Sequence, residues 1–200
     1  MPGEHVSPRW AQWRDDVSLE EYHERWARRA ADGQSTHGEA DLIAHYAPRT
    51  VLDAGCGMGR VAIELARRGL DVVGVDLDDD LLAYARADAP EVEWRHADLA
   101  VLDLARTFDV VAMPGNVMLF CAPESRGPIV AALTRHLADD GLLVAGFSTD
   151  PATGGLSLAE YDSHCAAAGL VLHERFSTWE RAAVSTDGRD GYAVSVHRRG

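Results

Sequence analysis

Val51-Leu52-Asp53-Ala54-Gly55-Cys56-Gly57-Met58-Gly59-Arg60 is the stretch that decides how the rest of the chain is read. An apolar run enters three glycines at alternate positions and passes at once into Arg60–Arg68, which has helical apolar spacing and is closed by Gly69. Glycine permits positive φ, and its missing Cβ lets a ligand touch the main chain. The helix that follows offers unpaired N–H groups and the positive end of its dipole. Strand, glycine turn and helix in that order begin a β-α repeat whose ligand lies at the carboxyl end of the strand.

Outward from this turn the repeat continues. Thr50–Asp53, Asp71–Asp76, Val92–His96, Phe108–Met113 and Leu142–Phe147 read as strands. Glu39–Tyr46, Asp79–Asp88, Pro128–Ala138 and Leu158–Ala168 read as helices between or beside them, with Asp139-Asp140-Gly141 as a turn. The runs VVGVD, FDVVAM and LLVAGF are nearly continuous in apolar residues, which suits parallel strands buried on both faces. Leu170–Trp179 and Gly191–Arg198 follow without a helix between them, joined by the polar turn Asp187-Gly188-Arg189-Asp190, so they predict an antiparallel hairpin. The fold class is α/β, a doubly wound sheet ending in that hairpin. Ahead of it, residues 9–31 read as one or two amphipathic helices and 32–38 as a loop. Two parts are expected, a helical cap over residues 1–38 and a sheet domain over 39–200.

Composition narrows the class. A formal charge of −13 and a pI near 5.0 lack the footprint of a nucleic-acid binder. The clusters Arg25, Arg28, Arg29 and Arg198, Arg199 read as solvated faces. Cys56, Cys121 and Cys165 are far apart and odd in number, which fits neither a disulfide framework nor a metal site and suits a reducing cytoplasm. No signal-peptide pattern opens the chain, and no apolar run approaches the roughly 18 residues of a membrane span. The expectation is a cytoplasmic protein with no membrane and no nucleic-acid partner.

The glycine spacing is G-x-G-x-G, with Arg60 where a pyrophosphate fingerprint would place its third glycine. Asp53 stands two residues before the first glycine. A carboxylate there repels a diphosphate and attracts an ammonium. Asp76 closes the second strand about twenty residues on, the place of an acid that accepts from ribose hydroxyls. Asp98, just past the third strand, is placed to take the exocyclic amine of adenine, with Leu77 and Leu99 against the ring.

D-A-G-C-G-M-G, V-G-V-D-L and H-A-D-L together resemble the first three motifs of the class I S-adenosylmethionine-dependent methyltransferases. The resemblance runs from about residue 39 to the end. It implies a Rossmann-like sheet of seven strands with only the last-inserted one antiparallel. It implies S-adenosylmethionine as cofactor, with Asp53, Gly55, Gly57 and Gly59 along its methionine and ribose, Asp76 on the ribose hydroxyls, and Asp98 with Leu99 on the adenine. Cys56 lies within the turn and reads as a small buried thiol on that wall rather than a nucleophile.

Met113-Pro114-Gly115-Asn116 departs from the [DNS]-P-P-[YFW] pattern of enzymes that methylate nucleic-acid amines. A small-molecule methyl acceptor is therefore expected, its O, N or C nucleophile attacking the methyl group in line. Two readings of Asn116 stay open, a hydrogen bond to substrate and a turn former. Two stay open also for Trp10, Trp13, Tyr22 and Trp26: a cap over the substrate, or packing of the helices on the sheet. His37-Gly38-Glu39 either reaches toward the methionine end or caps a helix. No histidine has the spacing of a general base. The alternatives are a non-catalytic S-adenosylmethionine-binding regulator and a nicotinamide-dependent oxidoreductase, and the expected assembly is a monomer or homodimer.

Overall fold

The computed structural model describes residues 6–31, 37–185 and 190–200. The start of the chain, most of the expected loop at 32–36 and the turn residues 187–189 lie outside these. Seven strands form one sheet: β1 (Thr50–Ala54), β2 (Asp71–Asp76), β3 (Glu93–His96), β4 (Phe108–Met113), β5 (Leu137–Ser148), β6 (Leu170–Phe176) and β7 (Tyr192–Arg199). Their order is β3-β2-β1-β4-β5-β7-β6. The first five are parallel, and β7 runs antiparallel between β5 and β6. The hairpin forms as expected, with β6 as the sheet edge.

Successive residues of β1 point to opposite faces, and the two faces carry separate cores. Leu52 and Ala54 join Val73, Val111 and Met113 under Ile129, Leu133 and Tyr161. Val51 joins Val72, Val110 and Val144 under Leu42, Ile43, Val61 and Leu65. The covering helices are α3 (Gly38–His45) and α4 (Arg60–Arg67) on one face, and α7 (Arg126–Arg135) and α8 (Leu158–Ala167) on the other. Helix α5 (Asp79–Asp88) follows β2, its first turn capped by Asp78, which accepts from the N–H groups of Asp80 and Leu81. Gly69 at φ +88° ends α4 and Gly169 at φ +81° follows α8, each where a left-handed residue is needed.

The largest departure from the expected boundaries is at the start of β5, while β6 ends at Phe176 rather than Trp179. Helix α7 ends at Arg135, and β5 begins at Leu137, five residues before the apolar run LLVAGF. The segment Asp139-Asp140-Gly141 is part of the strand rather than a turn, because Leu137 pairs with Phe108 across an irregular step in the ladder. Phe108 donates its N–H to the His136 carbonyl at 2.8 Å. At Gly141 a Cβ would come within 2.9 Å of the Phe108 carbonyl oxygen, so the close approach of β4 requires glycine there.

The N-terminal segment forms two helices, α1 (Pro8–Asp16) and α2 (Leu19–Ala31), which pack on the carboxyl ends of the strands. Ser7 donates its N–H to the Phe120 carbonyl at 2.7 Å and its hydroxyl to the Leu119 carbonyl at 3.1 Å. That pins α1 to α6 (Val117–Phe120), a single turn after β4. Arg14 reaches Asp78 at 2.8 Å and Asp80 at 2.6 Å, and His23 reaches Asp88 at 2.7 Å, so both cap helices are tied to α5.

Strand β3 looks too polar for a sheet, and Trp94 explains why it is there. Its ring covers Gly59 and Gly74, where a Cβ would stand 2.4 Å and 2.3 Å from indole carbons, and its Nε1–H is held by the Ala89 carbonyl at 2.9 Å. Gly59→Ala and Gly69→Ala therefore separate two effects. Both impose positive φ on alanine, but Gly69 faces open space. Gly69→Ala should cost about 1 kcal/mol in urea denaturation and Gly59→Ala about 2–4 kcal/mol. Equal losses would mean that Trp94 yields freely.

Candidate functional site

The glycine turn folds back over β2. The N–H groups of Gly55 and Cys56 both donate to the Val75 carbonyl, at 2.8 and 3.0 Å. Gly55, Gly57 and Gly59 all have positive φ, +80°, +55° and +80°, yet they serve different ends. A Cβ on Gly55 would stand 2.6 Å from Val117, and one on Gly59 would meet Trp94, so these two are packing glycines. A Cβ on Gly57 would meet nothing. Gly57 is where bare main chain faces the open crevice.

Asp53 ends the apolar part of β1 and is 1% exposed. Its Oδ2 accepts from the Ala62 N–H at 3.1 Å, while Oδ1 is buried with no partner. Burial pushes this carboxyl up to about 7; the Ala62 N–H and Arg60 pull it down, and Asp76 and Glu39 push it further up. Asp76, 8% exposed, accepts from the Gly57 N–H at 2.7 Å and the Asp78 N–H at 2.9 Å. Burial raises its pKa too, against the pull of those bonds. Asp98 accepts from the Ala100 N–H at 2.8 Å and caps the short 3-10 turn Leu99–Val101.

These three acids, with Gly55, Cys56, Gly57, Leu77 and Leu99, line one cavity of about 370 Å³. Gly59, expected on the same wall, instead packs against Trp94. The Cys56 thiol is raised well above its ordinary pKa, first by burial and then by the neighbouring Asp76 and Asp53 carboxylates. It is a neutral thiol at physiological pH.

The far side of the cavity is built by the cap and by the residues after β4. Trp10, Trp13, Tyr22 and Trp26 line it together with Asn116 and Phe120. Trp10 and Trp13 stack at 5.1 Å, both rings lie against Phe120 at 5.7 and 6.0 Å, and Trp13 meets Tyr22 edge-on at 5.4 Å. No residue of α1 is buried, so its tryptophans face the cavity and not a core. Asn116 does turn the backbone, at φ +66°, and its Oδ1 accepts from the Ser148 N–H at 2.7 Å. That bond engages the side-chain oxygen.

Two lining residues, Arg60 and Glu39, are joined in a way that the sequence does not announce. Arg60 pairs with both carboxylate oxygens of Glu39, the Nη1 contact at 3.0 Å, and lies 4.3 Å from the Trp26 ring centre. Strand-to-helix turn, α3 and cap thus meet at one guanidinium. Only the displaced third glycine marked Arg60 as unusual. His37 precedes α3 without a side-chain cap bond, and it is Glu39 that reaches the cavity. Among the described residues no group of acids, histidines or cysteines could hold a metal ion, and no helix is long and apolar enough to cross a membrane.

Comparison with known proteins gives a consistent result. Residues 51–141 match the family described as "Methyltransferase domain". A TehB-like S-adenosylmethionine-dependent methyltransferase from Corynebacterium glutamicum, solved by crystallography, is 37% identical, with 90% of this chain and 97% of that one covered and a TM-score of 0.82. A dTDP-3-amino-3,4,6-trideoxy-α-D-glucopyranose N,N-dimethyltransferase from Streptomyces venezuelae is 31% identical over 108 residues, 52% of this chain and 46% of that protein. A trans-aconitate 2-methyltransferase from Azoarcus sp. is 33% identical over 115 residues, 55% and 44% respectively. This chain spans about half the length of such curated relatives.

The state of Asp53 sets a pH dependence. Its folded pKa is raised above the unfolded value, so its contribution to stability is complete below about pH 4 and is lost as pH rises to about 7. Asp53→Asn keeps an acceptor for Ala62 without the charge. In urea denaturation, the advantage of Asp53→Asn over wild type should grow by on the order of 3 kcal/mol between pH 4 and pH 7 and then level off. A difference independent of pH would show that Asp53 is ionised at no cost.

Proposed function

The chain belongs to the class I S-adenosylmethionine-dependent methyltransferases, and we propose that it transfers the methyl group of that cofactor to a small-molecule nucleophile. The single observation that carries the cofactor assignment is the unpartnered, buried Oδ1 of Asp53 beside the open backbone of Gly57. A buried polar atom without a partner is costly, and an ammonium removes that cost. Asp53 would hold the amino group of the cofactor, Asp76 its ribose hydroxyls, and Asp98 with Leu77 and Leu99 its adenine. Gly55, Cys56 and Gly57 would form the wall beneath them. A diphosphate in the same place would face two buried carboxylates, which counts against a nicotinamide cofactor.

When bound, S-adenosylmethionine supplies a methyl group already activated on sulfonium sulfur. What remains for the protein is to align the acceptor and exclude water, and alignment of that kind can supply several kcal/mol of the barrier. Trp13, Tyr22 and Trp26, with Asn116 as donor, would hold the acceptor under the cap, here taken as residues 1–38 on a domain of 39–200. No histidine lines the cavity among the described residues, and Glu39 is neutralised by Arg60. The arrangement suits an acceptor whose nucleophile is already a free lone pair or a readily lost proton. A cavity of about 370 Å³ covered by two helices favours a small molecule over a macromolecule.

Calorimetric titration with S-adenosylhomocysteine tests the reading. Wild type should bind it, Asp76→Ala should bind about 10–100-fold more weakly, and NADH should not compete. Since the ammonium needs ionised Asp53, affinity should fall about tenfold per pH unit below pH 7, and Asp53→Asn should flatten that slope. A wild type that ignores S-adenosylhomocysteine would refute the assignment.

A further inference from the structure

Among the described residues two guanidinium groups line the cavity, and they are in different states. Arg60 is neutralised by Glu39. Arg25, on α2, lies 4.6 Å from the Tyr22 ring centre and 5.4 Å from that of Trp26, and among the described residues no carboxylate pairs with it. Arg28 beside it is paired with Glu24 at 2.8 Å, so α2 does not lack acids to quench a cation; Arg25 is simply not given one. The rings form a continuous wall, Phe120 to Trp13 to Tyr22, that ends at the exposed Arg25. Of the carboxylates that line the cavity, Asp53, Asp76 and Asp98 lie at the strand ends, and the fourth, Glu39 on α3, is paired with Arg60.

We infer that Arg25 selects acceptors that carry an acidic group, a carboxylate or its equivalent, on a flat apolar body. This rests on the proposed use of the space under the cap for the acceptor. Stacking on Trp13 and Tyr22 fits the flat body, and a guanidinium accepts a carboxylate in two parallel hydrogen bonds that a neutral alcohol cannot make. Arg25 lies over two rings, and its planar fork is pre-organised, so less freedom is lost for each hydrogen bond it makes to the acceptor. Lysine in its place would keep the charge and lose the fork.

The test uses 2-naphthoate and its uncharged counterpart 2-naphthalenemethanol as probes, titrated by tryptophan fluorescence into the protein with and without S-adenosylhomocysteine. Wild type should bind the acid at least about tenfold more tightly than the alcohol. Arg25→Gln should bring the two within about twofold, and Arg25→Lys should restore part of the gap. S-adenosylhomocysteine affinity should be the same in wild type and Arg25→Gln. Equal binding of the two probes, no binding of the acid, or a preference that survives in Arg25→Gln would overturn the inference. So would a loss of S-adenosylhomocysteine affinity in Arg25→Gln, which would give Arg25 to the carboxylate of the cofactor instead. Failure of the cofactor reading is seen separately, as wild type that does not bind S-adenosylhomocysteine while the probes still report on Arg25.

Discussion

A carboxylate with one oxygen left unsatisfied in the middle of the sheet is the constraint on which the rest of the molecule depends. Asp53 lies on the central strand, level with Gly74 of β2 and Ala112 of β4. The two cores on either side of β1 keep water from it. Burying such a group without a full set of partners opposes folding. The glycine turn, the start of α4 and the acid at the end of β2 are arranged around it, and the Ala62 N–H satisfies only one of its oxygens. A site that is expensive when empty and relieved by a cation is one that stores binding energy for a ligand.

The cap completes the other half of the cavity by a different physics. Its helices are fixed at their rims, by Ser7 on α6, by Arg14 and His23 on α5, and by Trp26 over Arg60. The aromatic rings between these anchors are left partly exposed toward the cavity. Two half-sites of opposite character result, one acidic and made of strand ends, the other aromatic with a cation at its edge. The acidic half matches a cofactor that is positive.

How much of this was legible in the chain depended on whether an interaction is local. The turn from Asp53 to Arg60, Asp76 and Asp98 were readable because each sits at a fixed offset from a strand end, and nearly all expected strands and helices formed. The start of β5 was not, because the pairing of Leu137 with Phe108 overrides the turn chemistry of Asp139-Asp140-Gly141. The three glycines looked equivalent in sequence. Only the positions of Val117 and Trp94 separate the two needed for packing from Gly57, which faces the crevice. The Glu39–Arg60–Trp26 contact joins three residues from three elements with no common period, and no pattern along the chain could have announced it. Of the two readings of Asn116, the turn former is the one the backbone displays, at φ +66°.

The most direct measurement of the central claim is the carbon-13 carboxyl shift of Asp53 followed through pH, with and without S-adenosylhomocysteine. A midpoint near 7 in the free protein that drops by two or more units in the complex, about 3 kcal/mol of coupling, is the outcome this account requires. A midpoint that the ligand leaves in place would mean that the buried oxygen at the end of β1 is not kept for its ammonium.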